Sequence, residues 1–295
     1  MRPTPLLNAM TIDVEDYFHV SAFAPYIDPK CWGEFDCRAP DNTRRLLDIL
    51  DERGIHATFF ILGWVADRHP ALVQEIHARG HEVGSHSFSH QLVYQLTPQA
   101  FREDLRRANR TLEDIIQQPV VSYRAPSFSI TQRSRWALEI LVEEGIQFDS
   151  SVFPIVHDRY GIPGAPRDIH WITTPSGGLW EFPPSVARVT GWNLPVSGGG
   201  YFRLYPFAMT AKLLARINAT ENRPFMFYLH PWEIDPGQPR LTHGSRFSQW
   251  RHYVNLDRTE HKLQQLLRQF SFDAMRRIIE SSPSFVATKD AAVVF

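Results

Sequence analysis

The sequence predicts an α/β fold with a mainly parallel sheet, closed as a barrel or open and doubly wound. Three observations lead there. Strand-like and helix-like segments alternate through residues 6–149, and the strand-like runs are apolar at consecutive positions, as in strands covered on both faces; glycines and prolines stand where helices stop and start. Residues 6–13 read as the first strand. Asn42 to Arg53 then places Leu46, Leu47, Ile49 and Leu50 on one helical face, and Gly54 closes that helix. Ala57 to Leu62 is an unbroken apolar strand. Pro70 opens a helix that stops at Gly80, and His81 to Gly84 forms a short strand. Thr97 and Pro98 supply a cap and a first-turn proline for a long amphipathic helix, whose Phe101, Leu105, Ala108, Leu112 and Ile115 are spaced by three or four. Pro119 ends it before a strand from Val120 to Arg124. Thr131 begins a further helix carrying Trp136, Ala137, Ile140 and Leu141, Gly145 closes it, and Ile146 to Asp149 follows as a strand. Beyond residue 154 the chain is rich in Pro and Gly, with one strand at Leu179 to Phe182, a helix near 206–218, a last strand at Phe225 to Leu229 and a helical carboxyl end.

Composition excludes several classes. With 31 Lys+Arg against 32 Asp+Glu, a formal charge of -1 gives no electrostatic footprint for nucleic acid and no attraction to anionic membranes. No uncharged apolar run has the length of a membrane span, and the amino terminus lacks a basic segment followed by an apolar one, so a cytoplasmic protein without signal peptide or transmembrane segment is expected. Cys31 and Cys37 stand six apart without a second pair, which favours free thiols over a zinc site.

In either sheet architecture ligands bind where parallel strands end. The chemistry-bearing residues fall at those ends: Asp13-Val-Glu-Asp16 after the first strand, His86 and His90 after the strand at 81, Arg124 after the one at 120, then Asp149 and His230. His77 and His81 have the same spacing as His86 and His90 but bracket a helix end, a structural setting. His86 and His90 follow a strand among glycine and serines, in one turn that presents both rings the same way. Two imidazoles and a carboxylate leave a water-accessible position on a divalent ion such as zinc. Another carboxylate would accept the proton of that water and His230 would protonate an amine leaving group, a pairing suited to amide hydrolysis.

The segments TIDVED, HATFFILG, GHEVGSHSFSH, YRAPSFS, FDSS and YLHPWE, in this order, resemble the motifs of the polysaccharide deacetylase (NodB homology) family over residues 6–235. The DVEDYF opening and the GGGYFRLYP stretch are most similar to the subgroup of exopolysaccharide and PEP-CTERM loci, which has its own C-terminal region. The resemblance implies a distorted (β/α) barrel, commonly seven-stranded, that hydrolyses N-acetyl groups on amino sugars with one divalent metal ion, zinc first. A single catalytic domain over 1–295 is then expected, with the barrel at 6–235 and a helical extension at 236–295 packed on it. Its partners would be an N-acetylated carbohydrate and the exopolysaccharide machinery.

Position by position, Asp13 matches the family's general base, His86 and His90 its imidazole ligands, and Arg124 the arginine that orients the base. Family members often carry a second Asp directly after the base; here Val14 stands there, so the third ligand is Glu15 or Asp16. Strand alternation puts Asp13 and Glu15 on one face, whereas Asp16 reaches it only if the backbone turns after Val14, which favours Glu15. The Ser127 N–H would help hold the oxyanion. Asp149 matches the carboxylate that tunes the acid imidazole, here His230. Tyr17, Trp192, Tyr201 and Trp232 are candidate sugar-stacking residues. Gly198 to Gly200 permits positive φ and close approach of a ligand, or simply a tight turn. Two other functions fit the same residues: a related C–N hydrolase, deformylase- or imidase-like, on a small or lipid-linked substrate, and a catalytically silent carbohydrate-binding protein.

Overall fold

The structure, a computed structural model, describes residues 6–242 and 244–285. Strand β1 (Leu7–Val14) is buried at every position after its first. Helix α1 (Ala39–Asp51) starts earlier than the apolar pattern predicts, because the distant Asp16 carboxylate accepts from the N–H groups of Arg38 at 2.6 Å and Ala39 at 2.8 Å. Next come β2 (Thr58–Ile61), the short α2 (Gly63–Arg68), which the sequence pattern does not reveal, α3 (Pro70–Ala78) and β3 (Glu82–Ser85). Thr97 caps α4 (Pro98–Ile116), accepting from the Ala100 N–H at 3.2 Å. Then follow β4 (Ser122–Tyr123), α5 (Trp136–Glu143), β5 (Phe148–Asp149), β6 (His170–Thr174), β7 (Gly177–Glu181), β8 (Val186–Val189) and β9 (Trp192–Pro195). The remainder comprises α6 (Gly199–Leu204), α7 (Phe207–Thr220), β10 (Met226–Leu229), α8 (Arg246–Tyr253), α9 (Leu256–Gln269), β11 (Ser271–Asp273) and α10 (Met275–Glu280).

Strands β10, β1, β2, β3, β4, β5 and β7 lie side by side in that order, all parallel, with β6 antiparallel on β7 and β11 beside the first half of β1. The ring closes without a strand ladder. Between β7 and β10, the Met226 N–H donates to Ser185 Oγ at 2.8 Å and the Tyr228 N–H to the Ser197 carbonyl at 2.7 Å. This irregular seam makes the seven-stranded parallel sheet a distorted (β/α) barrel. Gly198 belongs to the seam: its φ is 135°, and a Cβ there would stand 1.9 Å from the Tyr228 carbonyl oxygen. Gly198 therefore serves close backbone packing on β10.

Successive residues of β2 face opposite ways. Phe59 and Ile61 pack with Leu46, Leu50, Leu72 and Ile76 of the outer helices, whereas Phe60 joins Phe148, Met226 and Tyr228 inside the barrel. Each such fully buried side chain contributes about 1.5–3 kcal/mol. Among the described residues after 236, α8, α9 and α10 surround β11, which extends the sheet, and Leu263, Leu266, Leu267 and Phe272 join the main core; residues 286–295 of the expected extension lie outside the described residues.

Candidate functional site

Parallel pairing aligns the strand ends. Val14, Ile61, Ser85, Tyr123, Asp149 and Glu181 form one continuous register row across β1, β2, β3, β4, β5 and β7. The residues just beyond that row, Glu15, His86 and Arg124, consequently emerge at one mouth of the barrel, and Ile12 opposite Leu229 brings His230 to the same end.

Glu15, His86 and His90 present one ligand atom each within 4.8 Å of one another, and all three are buried. Glu15 Oε2 lies 2.5 Å from His90 Nε2 yet has no hydrogen bond of acceptable geometry, while Oε1 accepts from Trp232 Nε1 at 3.3 Å. His86 Nδ1 is 2.7 Å from the Arg124 carbonyl, which can only accept, so the Nε2 lone pair is left free. Burial lowers the His86 pKa to about 4, which keeps the ring neutral, as a metal ligand must be. Burial alone would raise the Glu15 pKa, but His90, His230 and His86 outweigh it and hold this carboxyl well below the usual range. An orphaned buried carboxylate oxygen, the free Nε2 of His86 and the adjacent Nε2 of His90 fit a divalent cation.

Asp16 is not part of this set. Besides capping α1 it accepts from the Tyr17 N–H at 2.9 Å, so its carboxylate is committed to backbone. The two histidines meet through a loop and not through a helical turn: Ser87 and His90 have φ of 62° and 50°. Asp104 of α4 pins that loop, accepting from the Phe88 N–H at 2.8 Å, the Ser89 N–H at 3.1 Å and the Ser89 hydroxyl.

Arg124, fully buried, crosses the barrel. Its Nη1 donates to Asp13 Oδ1 at 2.7 Å and Thr11 Oγ1 at 2.8 Å, and its Nη2 to Ser150 Oγ at 2.9 Å. The other Asp13 oxygen, Oδ2, faces His230 Nε2 at 3.8 Å. The ring of His230 is fixed from behind, where Nδ1 donates to Glu233 Oε1 at 2.7 Å. Glu233 Oε2 in turn accepts from Arg203 Nε at 2.7 Å, and Arg203 Nη1 donates to the carbonyls of Arg251 at 3.0 Å and His252 at 2.5 Å. Burial pulls the His230 pKa down, but the Glu233 hydrogen bond and the charges of Glu15, Glu233 and Asp13 overcome it and lift the pKa to about 9.

The expected tuning of His230 by Asp149 is thereby corrected. Asp149 accepts from Ser151 Oγ at 2.5 Å and sits beside its register partner Glu181; Asp149 Oδ2 and Glu181 Oε2 have no N–H or hydroxyl donor, so the bond between the two carboxyls needs a shared proton. These carboxyls face each other inside the barrel, and the charge partner of His230 is Glu233. The HPWE segment contains the signal, an acid three residues after the imidazole at a strand end.

A cavity of about 370 Å³ opens over the site, lined by Glu15, Ser127, Tyr201, His230 and Trp232 among others. Ser127, at φ 52°, and Tyr201 both lie on the cavity wall. Tyr17 does not: it is 1% exposed and packed in the core. Trp192 is 73% exposed on the β8–β9 hairpin and absent from the cavity wall. Trp232 borders the cavity but is 4% exposed, stacked between His230 and His252 at centroid distances of 5.2 and 4.4 Å, so its main contacts are with the site's own residues. The sequence reading missed Glu233, Arg203, His252 and the whole α8 wall.

Comparison with known proteins bears on both halves of the chain. Residues 28–142 match the family profile described as polysaccharide deacetylase, and residues 150–280 match one described as a domain of unknown function (DUF3473). A peptidoglycan-N-acetylglucosamine deacetylase of Bacillus cereus is 29% identical over 87 residues, 30% of this chain and 40% of that protein. A chitooligosaccharide deacetylase of Rhizobium leguminosarum bv. trifolii is 28% identical over 102 residues, 35% of this chain and 45% of that one. The chain thus spans less than half the length of these curated relatives. A crystal structure from Mycobacterium smegmatis, provisionally titled a polysaccharide deacetylase, superposes with a TM-score of 0.60 at 21% identity, covering 97% of this chain and 96% of that one, a likeness of fold.

Proposed function

We propose that this chain, whose residues 28–142 match the polysaccharide deacetylase profile, is a metal-dependent hydrolase removing N-acetyl groups from an amino-sugar polysaccharide or its precursor. The observation that carries this reading is the meeting of Glu15, His86 and His90 with Asp13, Arg124 and His230 at one barrel mouth.

Glu15, His86 and His90 would hold the ion. When bound, a divalent metal such as zinc supplies Lewis-acid polarisation of the amide carbonyl and a water whose pKa falls to about 7. Asp13, with one oxygen locked by Arg124, offers the other to take the proton of the attacking water. The Ser127 N–H contributes a donor to the carbonyl oxygen as negative charge develops there. His230, its Nδ1 committed to Glu233, presents Nε2 toward the cavity to protonate the departing amine. Hydrolysis of an amide needs both proton transfers, and the two groups stand 3.8 Å apart at the barrel mouth.

The resemblance of DVEDYF and GGGYFRLYP supports an exopolysaccharide setting for the substrate and any partner. Among the described residues no helix is long and apolar enough to cross a membrane.

The test is metal analysis and acetate release from N-acetylhexosamine oligomers, with His86→Ala as the variant. The wild type should carry one ion per chain and release acetate; the variant should lose both. A His86→Ala protein with stoichiometric metal and full turnover overturns the ligand set. Turnover of small amides alone would point to the other C–N hydrolases, and sugar affinity without metal or turnover to a binding protein.

A further inference from the structure

The outer part of the cavity differs from its metal-facing floor. One part of the rim is α8, where Phe247 and Trp250 remain 64% and 52% exposed, their rings stacked 25° from parallel at 5.9 Å. Two large aromatic faces left in water beside a cavity mouth forgo a considerable burial energy, the signature of a surface kept for a ligand. A second part of the rim is formed by His157, Arg159 and Tyr160, the rings of His157 and Tyr160 stacking at 3.8 Å.

Each part contributes an exposed guanidinium, Arg251 in the first and Arg159 in the second. Among the described residues neither forms an ion pair. Arg251 lies 6.0 Å from the Phe247 ring, which leaves its N–H groups free. The two charges act on the same space: after burial, and against the nearby Asp158, both depress the pKa of His157. Asp158 engages His157 Nδ1 at 3.0 Å and is not among the cavity-lining residues. The only carboxylate lining the cavity among the described residues is Glu15, at the floor, so the rim has a positive field.

We propose that this rim is a subsite for a carboxylate-bearing sugar of the substrate chain, next to the unit being deacetylated, its ring face on Phe247 and Trp250 and its carboxylate between Arg159 and Arg251. The inference rests on the deacetylase reading and names the substrate class as an acidic polysaccharide. Aromatic rings accept the C–H face of a pyranose, and guanidinium forks match a carboxylate in geometry and charge.

The experiment compares alternating N-acetylglucosamine–glucuronate oligosaccharides with neutral N-acetylglucosamine oligomers of equal length, in turnover and in calorimetric binding. The wild type should prefer the acidic series by about tenfold in kcat/KM, the worth of one charge-assisted contact pair. Arg159→Gln with Arg251→Gln should bring that ratio close to one, as should raising the salt, because an exposed pairing is screened. Trp250→Ala should raise KM for both series more than it lowers kcat. Equal wild-type efficiency on both series overturns the subsite and leaves the deacetylase reading intact. Salt-sensitive binding of the acidic series that the double variant loses, without turnover of either, supports the subsite and overturns the reaction. Neither binding nor turnover overturns both.

Discussion

A half-buried imidazole keeps one orientation only when one of its nitrogens is spoken for, and in His230 that nitrogen is Nδ1, on Glu233 at 2.7 Å. Glu233 is itself fully buried and balanced by Arg203, so three charged side chains from two distant segments settle the aim of Nε2. Glu233→Gln keeps the shape and removes the charge. Turnover should fall about 10²-fold, the usual worth of a positioned acid, with KM and metal content little changed. Stability should fall by about 3 kcal/mol, because Arg203 is left buried without a counter-charge. Adding Arg203→Met separates the two effects: the unfolding free energy should recover while turnover does not. If turnover recovers along with stability, Glu233 is a purely structural residue. Asp149→Asn, by contrast, should cost turnover far less than Glu233→Gln.

At the level of elements, the ligand loop depends on a helix that carries no ligand. Residues 86–90 include two left-handed residues, a conformation an L-residue adopts only when its surroundings impose it, and Asp104 of α4 is what imposes it. Asp104→Ala should weaken metal binding by about tenfold, the scale of outer supports in metal sites, read by competition with a chelator of known affinity. Unchanged affinity would show that the β3 end alone sets the loop. Nothing in the sequence marks Asp104, since an acid on the polar side of an amphipathic helix reads as a solvated residue. The barrel strands β2 and β10 were legible because burial on both faces imposes continuous apolar runs, β3 because Gly80 stops the helix before it, and Glu15 over Asp16 was legible from strand alternation. The β8–β9 hairpin was not: its two-residue turn places Thr190 at φ 48°, a conformation its residue type gives no reason to expect. The three-residue β11 is too short to carry a period, and the α8 wall and Glu233 come from tertiary contacts that no local pattern encodes.

For the molecule as a whole, the barrel interior is an electrostatic compromise that its pH response should expose. Arg124 is the cation there, facing Asp13, with Asp149 and Glu181 beyond it. Burial raises the Asp149 pKa to about 6, against hydrogen bonds from Glu181 and Ser151, the Ser150 N–H and the charge of Arg124. Glu181 is raised well above the usual range by burial and by Asp149 beside it, so it stays protonated and donates to its partner. Both carboxyls bind a proton more tightly folded than unfolded. The folded chain therefore holds more protons than the unfolded chain between about pH 4 and pH 6, and stability falls as pH rises through that window. The penalty that this raised pKa places on the folded state is absent below about pH 4 and grows as pH rises through about 6. Asp149→Asn removes it: an amide donates to Glu181 without charge, so the variant should match the wild type near pH 4 and gain on it steadily toward pH 7. Urea unfolding of both proteins across that range, compared as a difference so that His230 and the surface carboxylates cancel, measures the effect directly. A difference that does not change with pH would mean that Asp149 and Glu181 do not share a proton within the barrel.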